Sequence, residues 1–340
     1  MILCDTCNIK QCVSLSNPNS FVTVDLEYQI RLLIENEELA KFFNPRSKDF
    51  YMNNVSGDNI LRDIQDSKLH KQMCQSSPNC ISYTLSTDGA PLFNMSKRSF
   101  WPLQIILNNL PPQLRFKYVL LVGVMIVKSE PKPELINLYV GQFWKEASSL
   151  FYKGMEIKFK DAGDEILFFK FILVVADSSA RPGLQIRIKY MGYFGCSYCY
   201  HEGKYICRGV KYPFLKKEPE IRTHESHMLD IKMSEEKQSS FRGVKGKSNF
   251  CEIPTVDMVW GFPLDYMHNA LLGTTESIWV DWYKVLKPEQ RRKIDEYLSQ
   301  VQPPRDLKRV PEQISNKSIW KACHWKSWLL YYSLPMCSEI

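Results

Sequence analysis

Polar and apolar residues alternate along 81–88, where Ile81, Tyr83 and Leu85 take turns with Ser82, Thr84 and Ser86 before the chain reaches Asp88. A period of two marks a half-buried strand, so this stretch is predicted as a strand that stops at an acid. Apolar runs predict further strands over 99–109 ("SFWPLQIILNN"), 118–127 ("YVLLVGVMIV") and 165–177 ("EILFFKFILVVAD"), the last ending in Asp177. Helical spacing takes over in 23–44, with Leu26, Ile30, Leu33, Ile34, Leu39 and Phe43 on one side and Asp25 and Glu27 near the start. It recurs in 133–154, which closes at Gly154. Strand, strand, strand, helix, strand across 80–177 predicts an α/β domain with a mixed sheet. Residues 203–260 are polar and glycine-punctuated with little strand signal, and "FRGVKGKSNF" reads as a basic loop carrying Lys245 and Lys247. Helical patterning returns at 261–283, at 288–300 behind Pro288, and in an aromatic-rich run through 318–332.

Composition narrows the class without changing this picture. With 340 residues, 44% hydrophobic and 24% charged, the chain is long enough for a large core and is not of disordered type. The net charge of +7 permits a nucleic-acid partner but does not demand one. No apolar run approaches the ~20 residues of a membrane span. "MILCDTCNIKQC" lacks the layout of a signal peptide, so the 11 cysteines read as thiols or metal ligands. Cys4 and Cys7, with Cys12 behind them, fit either half of a zinc ribbon or unrelated free thiols.

Asp88 and Asp177 each follow a strand and precede small residues and a proline. Either alone reads as a turn or helix-cap residue. Together, at the tips of two strands of one sheet, they suit a hard divalent cation such as Mg²⁺ or Mn²⁺, the kind that serves two-metal phosphodiester chemistry. In "GYFGCSYCYHEGKYIC", Cys196 and Cys199 have the spacing that grips one tetrahedral Zn²⁺. The remaining ligands are to be sought among His201, Cys207 and a distant histidine, for which His268 in "DYMHNALLG" is the best candidate. The competing reading is a pair of inert thiols and a satisfied core histidine.

Four blocks in order, "LSTDGAPLFNMSKRSFWPLQIILNNLPPQLR", "VVADSSARPGLQIRIKYMGYFGCSYCYHEG", "GFPLDYMHNALLG" and "WKACHWKSWLLYYSLP", resemble the catalytic domain of CACTA-type (En/Spm-like) transposases and their animal relatives. The resemblance covers roughly 80–337. It implies an α/β fold of ribonuclease-H-like type, a mixed sheet with an inserted zinc-binding, mostly helical segment. Asp88 matches the first acid of the triad and Asp177 the second, while Cys196, Cys199 and His268 match the inserted metal element. The position of the third acid, a glutamate in the family pattern, is His324 here. Histidine is a softer, neutral ligand and a poor partner for Mg²⁺. Glu312 or Glu276 could stand in for it, although their spacing does not argue for either.

The division expected is a partial Cys-rich segment at 1–20, a helical lead-in at 21–79 and the first part of the core at 80–200. A zinc-containing insertion at 201–300 and a completing helix at 301–340 follow. The resemblance implies transposon-end DNA as partner, with a homo-oligomer as a further option, and a nuclear location. Candidate phosphate contacts near the acids are Lys97, Arg98, Arg181, Arg187 and Lys189, each of which reads equally as plain solvated charge. No end-reading domain is apparent, and the beginning at Cys4 and the stop after "SLPMCSEI" read as those of a fragment or decayed copy. Two functions follow: a metal-dependent DNA strand-transfer enzyme, or a transposase-derived DNA- or protein-binding module without catalysis. A generic zinc nuclease comes third.

Overall fold

The computed structural model describes residues 2–3, 10–11, 19–50, 60–91, 98–160, 163–303, 305, 307, 309 and 311–337. Cys4, Cys7, Cys12 and Lys97 lie outside them, so the half-ribbon and one candidate phosphate contact have no structural account. The chain divides into two units, Met1–Pro263 and Leu264–Ile340.

After a short antiparallel pair, Ile2–Leu3 with Lys10–Gln11, the first unit has β1 (Ser20–Thr23), α1 (Leu26–Glu35) and α2 (Lys68–Ser76). Then come β2 (Cys80–Thr87), β3 (Ala90–Pro91), β4 (Ser99–Leu107) and β5 (Leu120–Val127). After them run α3 (Pro133–Tyr152), β6 (Met155–Phe159), β7 (Gly163–Val175) and the short helix α4 (Ala180–Leu184). The sheet order is β1-β5-β4-β2-β7-β6, with β3 also beside β4. β2, β4 and β5 form an antiparallel meander, and β7 lies parallel to β2 on its free side. The mixed α/β architecture expected from the strand–helix order is the one observed.

Local chemistry sets the element ends. Asp25 Oδ1 accepts the Tyr28 N–H at 2.8 Å, capping α1, and Asn36 ends that helix while accepting from Glu38 N–H, which splits the helix expected over 23–44. α3 starts at Pro133 and buries Ile136, Tyr139, Val140, Phe143, Ala147 and Leu150, one stripe at helical spacing. It closes where Gly154 takes φ +73°, and its N–H returns to Ser149 O. β6, "MEIKF", was not among the strands expected, although its burial alternates perfectly; it forms a hairpin with β7.

β2 differs from the half-buried strand its alternation predicts, because both of its faces are covered. Ile81, Tyr83 and Leu85 join Phe169 and Phe171 in the main core, where each fully buried large side chain contributes about 1.5–3 kcal/mol. The polar face is buried as well and is satisfied internally. His70 Nε2 meets Ser82 Oγ at 2.9 Å, Asn108 Nδ2 donates to Ser82 Oγ, and Thr84 Oγ1 donates to Asn108 Oδ1.

Beyond α4 the first unit continues with a hairpin, β8 (Lys204–Ile206) and β9 (Gly209–Lys211), and with α5 (His224–Glu236). The hairpin falls in the stretch read as having little strand signal, and α5 lies in the segment expected to be mostly helical.

The second unit has a π-helical stretch, Met267–Thr275, leading into α6 (Glu276–Val285), followed by α7 (Pro288–Gln300), α8 (Ala322–Ser327), a second π-helical stretch, Trp328–Tyr332, and α9 (Ser333–Cys337). Its own core gathers Trp279, Trp320, Trp325 and Trp328 around Ile294 and Leu298, with Trp279 and Trp328 rings 4.6 Å apart. Among the described residues no helix is long and apolar enough to cross a membrane.

Candidate metal centre

β2 and β7 run parallel, and their last paired residues are Ser86 and Val175. Asp88 and Asp177 each come two residues after this last pair, so the ends of two adjacent parallel strands lead to the two acids. The chain does not turn at Asp88-Gly89, as a turn residue would require. β2 pairs with β4 as Thr87↔Leu103, and β3 resumes in the same register as Ala90↔Phe100. Asp88 therefore stands opposite Pro102 in the register shared by β2 and β3. Gly89 is required for a different reason, since a Cβ would come within 2.7 Å of the Trp101 indole.

Asp177 sits where β7 gives way to α4. Its Oδ1 accepts the N–H groups of Ser179 (3.0 Å) and Ala180 (2.5 Å), so the cap reading holds for that oxygen. Both carboxylates are partly or wholly exposed. Carboxylate oxygens are the donor type that Mg²⁺ and Mn²⁺ take.

The thiols of Cys196 and Cys199 face and hydrogen-bond each other. Tyr198 N–H donates to Cys196 Sγ at 3.4 Å, and His201 N–H donates to Cys199. Two neighbouring cysteine sulfurs are the donor type that a tetrahedral Zn²⁺ takes, and such a site needs two further ligands. Among the described residues, no three His, Cys, Asp or Glu side chains are grouped so as to hold a metal ion. His201 packs edge-on against Tyr212, with ring centroids 5.1 Å apart. Cys207 is exposed at the tip of the β8–β9 hairpin. His268 belongs to the second unit, where its Nδ1 meets Asp265 Oδ2 at 2.5 Å.

Beneath the thiol loop lies a buried polar network that sequence reasoning missed. Arg187 donates to Cys196 O at 2.9 Å, and Arg222 donates to Cys199 O at 3.0 Å. Arg222 also bonds Asp230 Oδ2 and lies 4.0 Å over the Tyr200 ring, whose hydroxyl donates to the same Asp230 oxygen. Burial pushes the Asp230 carboxyl up and the Arg222 guanidinium down. Arg187 is lowered to about 9 by burial and then by the charge of Arg222. α5 carries Asp230 and His227, and the one advance signal for it was Thr223-x-x-Ser226, whose side chains form a capping box.

The candidate phosphate contacts separate by environment. Arg187 is 3% exposed and holds backbone carbonyls, so its guanidinium is not presented to solvent. Arg181 is also buried, against the Tyr198 ring at 5.6 Å. Lys189 is exposed and paired with Glu130, and Arg98 is exposed just before β4. His324 sits in the first turn of α8, where its Nδ1 accepts the Lys321 N–H at 2.9 Å. A neutral imidazole accepting at Nδ1 carries its proton on Nε2 and offers no free lone pair to a cation. Burial, then the charge of Arg309, lowers its pKa from the ordinary imidazole value.

No protein-family model matches the chain, and no curated protein sequence matches it.

Proposed function

We propose that this chain is a transposase-derived protein whose first unit is a ribonuclease-H-like core, with His324 at the sequence position that the resemblance gives to the third acid of a DDE triad. The observation that carries the reading is the parallel pairing of β2 and β7, whose adjacent ends lead to Asp88 and Asp177. The sheet order supports it: an antiparallel meander with its first strand beside a parallel fourth strand is the arrangement such cores use. In this reading Asp88 and Asp177 hold Mg²⁺ or Mn²⁺, which would supply activation of a water or 3′-hydroxyl and stabilisation of the departing oxygen. Cys196 and Cys199 hold Zn²⁺, with His201 as a candidate to complete it. DNA is the partner, and a nuclear location and assembly as a homo-oligomer belong to the same proposal.

A second reading, a DNA- or protein-binding module without cleavage, draws on one observation. The Nδ1 lone pair of His324 is engaged in capping α8, and the ring brings no negative charge to a metal site. A glutamate at this position would make the same capping bond, so His324→Glu should fold.

Cleavage of supercoiled plasmid in Mn²⁺ tests the two readings. Wild type is expected to be inactive or nearly so, His324→Glu to nick the plasmid, and the double variant with Asp88→Ala to lose that activity. Wild-type cleavage abolished by Asp88→Ala would make the chain an active enzyme. Inactivity of a folded His324→Glu that still binds DNA would remove the catalytic reading altogether.

A further inference from the structure

The hairpin β8–β9 and the loop after it, residues 203–217, carry Lys204, Arg208, Lys211, Lys216 and Lys217 and no acid. All five side chains belong to exposed residues, and among the described residues none forms an ion pair or side-chain hydrogen bond. Exposed lysines with an acid in reach do pair in the first unit, as Lys160 does with Glu37 and Lys247 with Glu252. Lys204 and Lys211 are directly opposite each other across the two strands. Like charges in that position destabilise a hairpin, so folding alone gives no reason for the pair. A bridging anion would reverse the sign of the interaction. At the tip, Cys207 and Arg208 both adopt left-handed φ (49° and 64°), the tight turn of a two-residue hairpin, which projects Arg208 outward. Tyr205 and Phe214, 67% and 94% exposed, flank these charges.

The base of the hairpin is fixed rather than loose. The Tyr212 hydroxyl accepts the Gly195 N–H at 2.7 Å and donates to Gly192 O, and Phe194 N–H bonds Glu202 O at 3.0 Å. The cationic ribbon is thereby tied to the Cys196–Cys199 loop.

We infer that this hairpin and its following loop dock against the phosphate backbone of duplex DNA. A two-stranded ribbon is of a size that a major groove admits, and phosphate contacts from unpaired Lys and Arg supply the affinity. The inference takes its partner class from the reading proposed above, but it depends on no catalytic residue.

Anisotropy of a labelled ~30-bp duplex, titrated across a KCl series, tests it. The variant replaces all five cations with Gln; a control replaces Lys41, Lys48, Lys145, Lys158 and Lys160 with Gln. Each lost phosphate contact should lower the slope of log K against log salt by about 0.9. The hairpin variant is expected to lose a slope of about 2 or more and to bind at least tenfold more weakly, with the control close to wild type. Its melting temperature should be unchanged or higher, because the Lys204–Lys211 repulsion is gone. Should the five-fold variant misfold, the Lys204→Gln/Lys211→Gln pair gives the same readout at smaller scale. Equal slope and affinity in wild type and variant would overturn the hairpin while leaving DNA binding intact. Failure of wild type to bind duplex DNA would overturn the DNA reading and the hairpin with it. Hairpin-dependent binding to duplex RNA but not DNA would overturn the choice of DNA.

Discussion

At Gly89 the backbone passes so close to the Trp101 indole that a single methyl group would meet ring atoms at 2.7 Å. The consequence reaches Asp88, because the strand that carries it continues in register past this contact. Gly89→Ala is therefore expected to cost about 1–3 kcal/mol, the range for overpacking a fitted interior. Urea unfolding should show the loss, and Trp101→Leu added to Gly89→Ala should restore part of it through the coupling of the two sites. Additive effects of the two substitutions would mean that the contact is not the reason for the glycine.

At the scale of elements, α5 holds the thiol loop through buried groups rather than through an apolar stripe. His227 is fully buried, its Nδ1 lies 3.4 Å from Arg187 Nη1, and burial followed by the neighbouring arginine charges lowers its pKa to about 3. The folded ring thus stays neutral down to about pH 3, while in the unfolded chain it takes up a proton below about pH 6.5. Its contribution is present above pH 6.5 and is lost as pH falls toward 3, amounting to about 2 kcal/mol between pH 7.5 and 5. Urea midpoints at those two pH values should separate by correspondingly less in His227→Gln than in wild type. An identical pH dependence in the two proteins would show that His227 does not control it.

For the whole molecule, the two units have cores of different chemistry. Five of the 8 tryptophans, Trp279, Trp282, Trp320, Trp325 and Trp328, fall in the second unit, whereas the described strands all lie in the first. Tryptophan fluorescence therefore weights the second unit, and the β-sheet amide I infrared band reports the first. Trp328→Ala should remove about 3–5 kcal/mol from the fluorescence-detected transition and leave the infrared one in place. Coincident transitions, shifted together, would show that the units unfold as one.

Periodicity alone determined most of the sheet. Alternation in 81–87, apolar runs in 99–107, 120–127 and 165–175, and the α3 stripe all mark elements whose side chains decide their own conformation locally. The acids at two strand ends and the Cys196–Cys199 spacing were legible for the same reason, being short-range patterns. What no local pattern carries is partnership between distant segments. The parallel pairing of β2 with β7 joins strands about 90 residues apart, and the burial of Arg187 and Arg222 follows from Asp230, Tyr200 and backbone carbonyls brought in from elsewhere. Hydrophobicity records which face a residue prefers; whether an arginine meets solvent or a carbonyl depends on tertiary contacts that a one-dimensional pattern does not encode. Tertiary structure therefore decided that Asp88 lies between two strands sharing one register and that Lys204 stands directly across from Lys211.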